Sequence, residues 1–218
     1  MELINTIEIN PYDFAKKEYE SPMLSLEENP DACHDFWIKS ISDNGLQNLK
    51  AIQKGSYLVD VNTVHEYEWE TILQQHLEEV EWDWYEEQIG KLSGGIALKV
   101  DDTFMIVPQC CGDIGMLNEW EQITENANKN WAQLWIGHPW MYYRRNENRI
   151  EFSDYTELSL EDFKDTEAKF FIDENTLKEH LLIIRQQHKE LALKIQYVLT
   201  KINIPNAEKV VKLMTGNE

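Results

Sequence analysis

The sequence predicts an α+β protein: an antiparallel sheet of about five to six strands packed by helices, with a long C-terminal helix and a short final helix. Three observations support this class. Short apolar runs with short connections fill the middle of the chain and indicate an antiparallel meander. An apolar stripe of helical period marks the C-terminal segment. The 218 residues are 42% hydrophobic, which is enough apolar area to bury a core despite the high charge.

The first third of the chain mixes strands and helices. "LINTIEIN" predicts an opening strand before a turn at Pro11, and "SYLVDV" predicts a second strand. Between them, residues 31–53 have apolar residues at helical spacing, interrupted at Asn44 and Gly45, which predicts two short helices with Asp31 capping the first. "NTVHEYEWETILQQHLEEV" predicts a helix with these residues toward the core: Val64, Trp69, Ile72, Leu73, Leu77 and Val80.

From Gly94 onward the pattern changes to strands. "GGIALKV" and "TFMIVP" predict two strands joined by a tight hairpin at Asp101 and Asp102. A polar helical stretch is expected around residues 117–124. "WAQLWIG", "WMYYRR" and "RIEFSDY" then predict three more strands, with corners at residues 137–139 and 146–148.

The C-terminal segment predicts a long amphipathic helix, capped by Asp173 or Asn175 and limited by Pro205. A short helix over residues 207–214 follows and ends at Gly216. The stripe of the long helix either packs inside the monomer or forms the seam of a homodimer through residues 177–202. We expect an α+β domain over residues 1–172 and a helical segment over residues 173–218 packed on it. The stripe consists of Leu177, Leu181, Ile184, His188, Leu191, Ile195, Val198 and Ile202.

Cysteine content and hydropathy predict the compartment. Three cysteines, without a repeated C-x-x-C spacing, argue against a disulfide framework and a zinc ribbon, and fit a reducing compartment. The N-terminal residues are acidic where a signal peptide needs basic ones. No segment approaches the roughly 20 apolar residues of a membrane span. The sequence therefore predicts a soluble, cytoplasmic protein without membrane contact.

The charge of the chain is strongly negative and unevenly distributed. Forty acidic residues against twenty basic ones give a formal charge of −20. Such a charge repels phosphate backbones over a Debye length of about 10 Å, which argues against direct nucleic-acid binding. The interval between Lys54 and Lys91 contains no Lys or Arg. That interval predicts an acidic surface suited to a basic partner.

Common catalytic motifs are missing. H-E-x-x-H, G-x-S-x-G and G-x-G-x-x-G do not occur, and "GKLSGGI" has the two glycines of a Walker loop without the following lysine. These absences count against the commonest enzyme classes and leave other enzymes open. The sequence predicts no cofactor and favours a non-catalytic protein.

The stretch "PQCCGDIG" is the first candidate site. Cys110 and Cys111, with Asp113 and His138, would form a metal or catalytic cluster if the fold joins the two turns. Adjacent residues on an extended chain point to opposite faces, which argues against both cysteines binding one ion. In the alternative interpretation, one cysteine fills a small core space at a strand end while Gly112 makes the turn. A vicinal disulfide is a further alternative.

"WIGHPWMYYRRNENR" extends that candidate site. His138 lies on a turn between Trp135 and Trp140, where binding residues are often displayed, although the aromatic rings also suit cross-strand packing. Arg144 and Arg145 lie in the following hairpin with Arg149. These arginines either bind a carboxylate ligand or pair with acidic side chains of the protein itself.

Residues 78–88, "EEVEWDWYEEQ", combine carboxylates with aromatic rings. Such a run is often only a solvated face, but aromatic anchors surrounded by charge also characterise interface hot spots, and carboxylates steer a basic partner. Trp82 and Trp84 share one face if the segment is extended. The predicted partner-binding residues are Glu78, Glu79, Glu81, Trp82, Asp83, Trp84, Glu86 and Glu87.

The strand pair "W-I-G-x-P-W" before "I-x-F-S-D", with the acidic bias, resembles bacterial immunity proteins that neutralise polymorphic toxins, in particular the SUKH type. The resemblance covers about residues 94–155 and leaves the C-terminal helix outside. It implies stoichiometric inhibition, in which the acidic face mimics nucleic acid and covers the basic active site of a nuclease toxin. The main hypothesis is thus an acidic protein-binding protein, and the alternative is an enzyme or metal-binding protein centred on the turns with Cys110, Cys111, Asp113 and His138.

Overall fold

The computed structural model describes residues 1–23, 28–125, 129–163 and 167–216. Both helices and strands occur along these residues, and the α+β class is confirmed. The strands form two antiparallel sheets of four strands each, whereas the sequence led us to expect five to six strands in one sheet.

Backbone contacts divide the chain into two compact units, each built from two segments. The first unit contains Met1–Asn5 and Ser93–Lys189, and the second contains Thr6–Leu92 and Glu190–Glu218. We call them the first and second unit. The predicted boundary at residue 172 stays a prediction.

The first sheet has the strand order β2-β1-β3-β4. Its strands are β1 (Glu2–Glu8), β2 (Leu58–Asp60), β3 (Gly94–Val100) and β4 (Thr103–Ile106). β1 and β2 are antiparallel, with Ile7 opposite Val59. β3 and β4 form the predicted hairpin, with Val100 opposite Thr103. Asp101 takes φ 54°, the left-handed conformation that tight hairpin turns require and that Asp tolerates.

The second sheet is a meander in the order β5-β6-β7-β8. Its strands are β5 (Ala132–Leu134), β6 (Met141–Asn146), β7 (Arg149–Phe152) and β8 (Phe170–Asp173). The first three are the predicted strands, and Tyr143 lies opposite Phe152 across the hairpin. β8 was not predicted, because its four residues continue directly into a helix. It pairs with β7 through Ile150 opposite Ile172, so Ile172 joins the buried face while Phe171 is exposed.

Helices in the N-terminal segment of the second unit follow the prediction in part. They are α1 (Pro11–Phe14), α2 (Pro30–Ser42), α3 (Glu66–His76) and α4 (Tyr85–Gln88), with a 3-10 helix at Trp82–Trp84 before α4. The Asp31 cap was wrong: Asn29 caps α2, because its side chain accepts from Ala32 N at 3.2 Å. Asp31 lies in the first turn, where its charge favours the helix dipole.

The second helix expected within residues 31–53 was wrong. The chain after α2 forms turns in which Leu46 and Leu49 are still buried. Ala51 bridges Val59, and Ile52 N donates to Leu58 O at 2.8 Å. These backbone groups bond to the strand region, so they are not available for helical hydrogen bonds.

The remaining helices are α5 (Leu117–Glu125), α6 (Glu174–Lys201) and α7 (Ala207–Thr215), with a 3-10 helix at Ile114–Met116 before α5. Asp173 caps α6, accepting from Thr176 N at 2.9 Å. The predicted stripe of α6 is buried within the chain from Leu177 to Val198, while Ile202 is half-buried. The homodimer stays a prediction. In the described part of the chain, no helix is long and apolar enough to cross a membrane.

Each unit buries its own apolar side chains. In the first unit, Trp120 and Phe152 lie in a cluster with residues of both sheets and the N-terminal half of α6. In the second unit, Trp37 and Trp69 are fully buried, and Trp37 Nε1 donates to Ile9 O at 2.8 Å. The predicted core face of α3 is confirmed at the five positions from Val64 to Leu77, whereas Val80 is only half-buried.

Candidate functional site

Residues 78–88, the acidic segment, form a short helical excursion on the surface of the second unit. It lies between buried Leu77 and buried Ile89. The 3-10 helix at Trp82–Trp84 and α4 replace the extended conformation that would have put both tryptophans on one face. The condition for a shared face is therefore not met: Trp82 is half-buried, while Trp84 is 61% exposed.

Hydrogen bonds hold the acidic segment in this conformation. Glu81 N donates to Gln88 Oε1 at 2.8 Å, which closes the segment on itself. Trp84 N donates to Glu81 O, also at 2.8 Å. At its base, His76 Nε2 lies 3.2 Å from Gly90 O. The exposed side chains are therefore displayed on an ordered backbone.

The carboxylates of the acidic segment point to solvent. Within the described ranges, the one ion pair of the segment joins Lys209 to Glu86. In this ion pair, Lys209 Nζ donates a hydrogen bond to the Glu86 carboxylate, which lowers the pKa of Glu86. Lys209 also lies 5.9 Å from the centre of the Tyr85 ring, which itself contacts Trp82. The exposed carboxylates are those of Glu78, Glu79, Glu81, Asp83, Glu86 and Glu87.

The second candidate site lies in the first unit, where the fold joins the two predicted turns. Cys110 and His138 form an antiparallel bridge, with His138 N donating to Cys110 O at 2.9 Å. Next to it, Gln109 N donates to Ile136 O at 2.7 Å. Gly137 has φ 102°, and a Cβ there would lie 2.4 Å from Cys110 O. Only glycine permits this backbone contact.

Two expectations about the cysteines were wrong. Cys110 and Cys111 are both exposed, so neither fills a core space. They also do not point apart, because Cys111 has φ 66° and the chain is not extended there. Their Sγ atoms are 3.9 Å apart. Gly112 does make the turn, as its N–H donates to Gln109 O at 3.0 Å.

Aromatic rings surround the His138 turn. Trp135 stacks on Trp140 with centroids 5.8 Å apart, and the edge of His138 meets both indoles at 4.9 and 5.0 Å. Asp113 instead caps the 3-10 helix that follows it, accepting from Gly115 N at 2.8 Å. Over the described residues, no three His, Cys, Asp or Glu side chains are arranged to hold a metal ion.

The arginines of the hairpin contact the protein itself. Arg144 Nε donates to Glu151 Oε2 at 2.6 Å, with its guanidinium 4.5 Å from the centre of the Trp131 ring. Arg145 pairs with Glu174 at 2.9 Å. Arg144 and Arg145 also line an open cavity of about 620 Å³. Of the two interpretations of these arginines, the structure shows the pairing with acidic side chains.

The Arg144 pair predicts a pH dependence. Hydrogen bonds from Asn146 and Arg144 lower the pKa of Glu151 from its ordinary 4.5. A lowered pKa contributes stability that is present above the unfolded-state value and is lost as the pH falls through the folded-state value. We expect Glu151→Gln to lower the free energy of unfolding at pH 7 by about 1 kcal/mol. The variant should also lose less stability on acidification than the wild type.

Urea unfolding at a series of pH values between 7 and 3 measures this effect. Glu157→Gln is the matched control, because Glu157 is an exposed carboxylate of the same unit. It should lose stability on acidification as the wild type does. Equal acid sensitivity of Glu151→Gln and wild type would contradict the role of the pair.

Sequence reasoning missed three residues that shape these sites. Gln88 closes the acidic segment, Lys209 pairs with Glu86, and Glu151 binds Arg144. The spacing of Arg144 and Glu151 in a predicted hairpin was a usable signal, because cross-strand neighbours of opposite charge attract. Lys209 lies more than a hundred residues from Glu86, and no local pattern connects them.

Comparison of the chain with protein-family models, with curated proteins and with solved structures finds no match in any of the three.

Proposed function

We propose that the chain is a non-catalytic inhibitor of the immunity type, whose acidic segment covers the basic active site of a protein toxin. The observation that carries the proposal is Trp84, 61% exposed among carboxylates of which only Glu86 has an ion-pair partner in the described structure. An aromatic side chain surrounded by charge has the makeup of an interface hot spot, in which the ring is the anchor and the charges form the rim.

Electrostatics supports a basic protein as the partner. A formal charge of −20 attracts basic surfaces over long distances, and the carboxylates of the segment concentrate that field around Trp84. Such a field speeds encounter with a basic partner and repels nucleic acid. A nuclease has a basic cleft because it binds phosphate, so the acidic segment complements it.

The ordered backbone of the acidic segment supports tight binding. Ordering a loop on association costs free energy, and the Glu81–Gln88 closure has already met that cost. Trp84 then provides a rigid anchor of the kind that dominates interface energetics. The residues proposed to contact the partner remain Glu78, Glu79, Glu81, Trp82, Asp83, Trp84, Glu86 and Glu87.

The resemblance of residues 94–155 to immunity proteins of the SUKH type agrees with this proposal. It suggests inhibition by occlusion, which needs no catalytic residue and no cofactor. The acidic segment lies outside the resembling region, so the proposal depends on the geometry of the segment and not on the resemblance.

Capture of partners tests the proposal. The immobilised chain is incubated with lysate of its own source at low salt and then washed at higher salt, and retained proteins are identified and quantified by mass spectrometry. We expect one basic protein at near-equal stoichiometry. Its enzymatic activity should be inhibited by the purified chain, with a one-to-one endpoint.

Two variants of equal charge test whether capture of the partner depends on the acidic segment. Glu79→Lys, Glu81→Lys and Asp83→Lys together reverse the acidic segment, while Glu157→Lys, Glu161→Lys and Glu167→Lys reverse three exposed carboxylates of the first unit. Each triple variant raises the formal charge of −20 by six. Only the first should lose the partner. Equal retention by both, or no retained basic protein, contradicts the proposal.

A further inference from the structure

Cys110 and Cys111 form a pair of adjacent, exposed thiols with their Sγ atoms 3.9 Å apart. A disulfide has an S–S distance of about 2.05 Å. The two Sγ atoms would therefore have to approach each other by less than about 2 Å to form the bond. The third cysteine, Cys33, is buried. The exposed thiols of the described residues therefore lie together at one turn of the first unit.

The backbone explains why the two thiols face each other. Cys111 has φ 66°, a left-handed conformation that non-glycine residues rarely adopt. The turn is closed by Gly112 N, which donates to Gln109 O at 3.0 Å. A residue in an extended conformation at position 111 would send its side chain to the opposite face. Left-handed residues are strained and cluster at functional sites.

The neighbouring turn fixes this geometry. Cys110 is bridged to His138, and Gln109 to Ile136, by backbone hydrogen bonds of 2.9 and 2.7 Å. A Cβ on Gly112 would lie 2.8 Å from Gly94 O, so the turn is packed against backbone on this side as well. The backbone of the turn is thus held in the conformation that brings the two thiols together.

The bridge also joins the cysteine turn to the turn that carries the packed rings of Trp135, His138 and Trp140. His138 is exposed and is the partner of Cys110.

We propose that Cys110 and Cys111 are a vicinal dithiol that a low-molecular-weight disulfide oxidises reversibly to an intramolecular disulfide. One thiol loses its proton and attacks the small disulfide, releasing one thiol molecule and leaving a mixed disulfide. The second cysteine then attacks the protein sulfur of that mixed disulfide and releases the other thiol molecule. The protein loses two electrons and two protons, and the small disulfide gains both as it becomes two thiol molecules.

The oxidised pair should be easily reduced. Adjacent Cα atoms are about 3.8 Å apart, which is shorter than the usual 4.4–6.8 Å of a disulfide. A strained, exposed disulfide has a more oxidising potential than a structural one and belongs to the labile class. The site therefore suits reversible oxidation and does not suit permanent crosslinking.

Redox titration of the full chain tests this inference. The reduced protein is equilibrated with mixtures of reduced and oxidised glutathione, remaining thiols are alkylated, and peptides are analysed by mass spectrometry. The peptide with both cysteines should become two hydrogens lighter without bound glutathione, while Cys33 is alkylated throughout. Dithiothreitol should restore both thiols. Persistent glutathione on the wild-type pair, or crosslinked dimers, overturns the proposal.

Cysteine variants distinguish formation of the intramolecular disulfide from modification of a single thiol by glutathione. Cys110→Ser and Cys111→Ser should each retain one glutathione on the remaining thiol, whereas Cys33→Ser should behave as the wild type. Phenylarsine oxide provides a second readout, because one equivalent bridges two thiols only if they are neighbours. It should block both cysteines of the wild type from alkylation. If phenylarsine oxide does not protect Cys110 and Cys111 of the folded protein from alkylation, the two thiols are not close enough to form a pair. This result does not depend on the redox potential of the pair.

Discussion

Reversing Glu79, Glu81 and Asp83 to lysine is expected to slow association with the captured basic partner by about tenfold or more at low ionic strength. The physical reason is electrostatic steering, because the three exposed carboxylates attract the basic partner to the docking surface itself. Association of the wild type should slow steeply with added salt, and the variant should show a much weaker dependence. Surface plasmon resonance or stopped-flow fluorescence at several salt concentrations measures both quantities.

The matched variant with Glu157, Glu161 and Glu167 reversed separates local from overall charge. It carries the same formal charge but keeps the acidic segment, so its association rate should stay within about threefold of the wild type. A further variant, Trp84→Ala, should mainly raise the dissociation rate. An aromatic anchor that becomes buried on binding slows dissociation and has little effect on the association rate. An unchanged association rate in the segment variant would sink the proposed interface.

Replacing Trp120 by alanine is expected to lower the free energy of unfolding of the first unit by about 3–5 kcal/mol. Trp120 is fully buried in the core cluster, with its ring centroid 6.4 Å from that of Phe152. Removing the indole leaves a cavity among residues of α5 and both sheets that rigid secondary structure cannot close. Chemical denaturation followed by circular dichroism measures the loss.

Trp120→Phe is the control for that prediction. In the described structure Trp120 Nε1 is buried without a hydrogen-bond partner, so the indole already carries the cost of an unpaired donor. Phenylalanine keeps most of the apolar volume and removes that donor, so the loss should be only about 1–2 kcal/mol. Equal losses for both variants would mean that the cavity does not dominate the stability of this core.

The two candidate sites differ in how far local sequence predicted them. The composition of the acidic segment was evident, because charge and aromatic content are properties of the residues themselves. Its conformation was not, since the closure by Gln88 and the pairing of Lys209 with Glu86 are tertiary contacts. At the cysteine turn, the pattern suggested a site, but the left-handed Cys111 reversed the expected direction of its side chain.

The sequence by itself determined the elements with a clear local pattern. The stripe of α6 and the core face of α3 were predicted because burial of one helix face imposes a period of 3.6 on the chain. The strands β3 to β7 were predicted because they are short apolar runs bounded by turn residues. Only the tertiary structure decided the rest: the four-residue strand β8, the turns in place of a second helix after α2, and the backbone bridge between Cys110 and His138. Each of these depends on hydrogen-bond partners in another segment of the chain, and the local pattern of a segment carries no information about such partners.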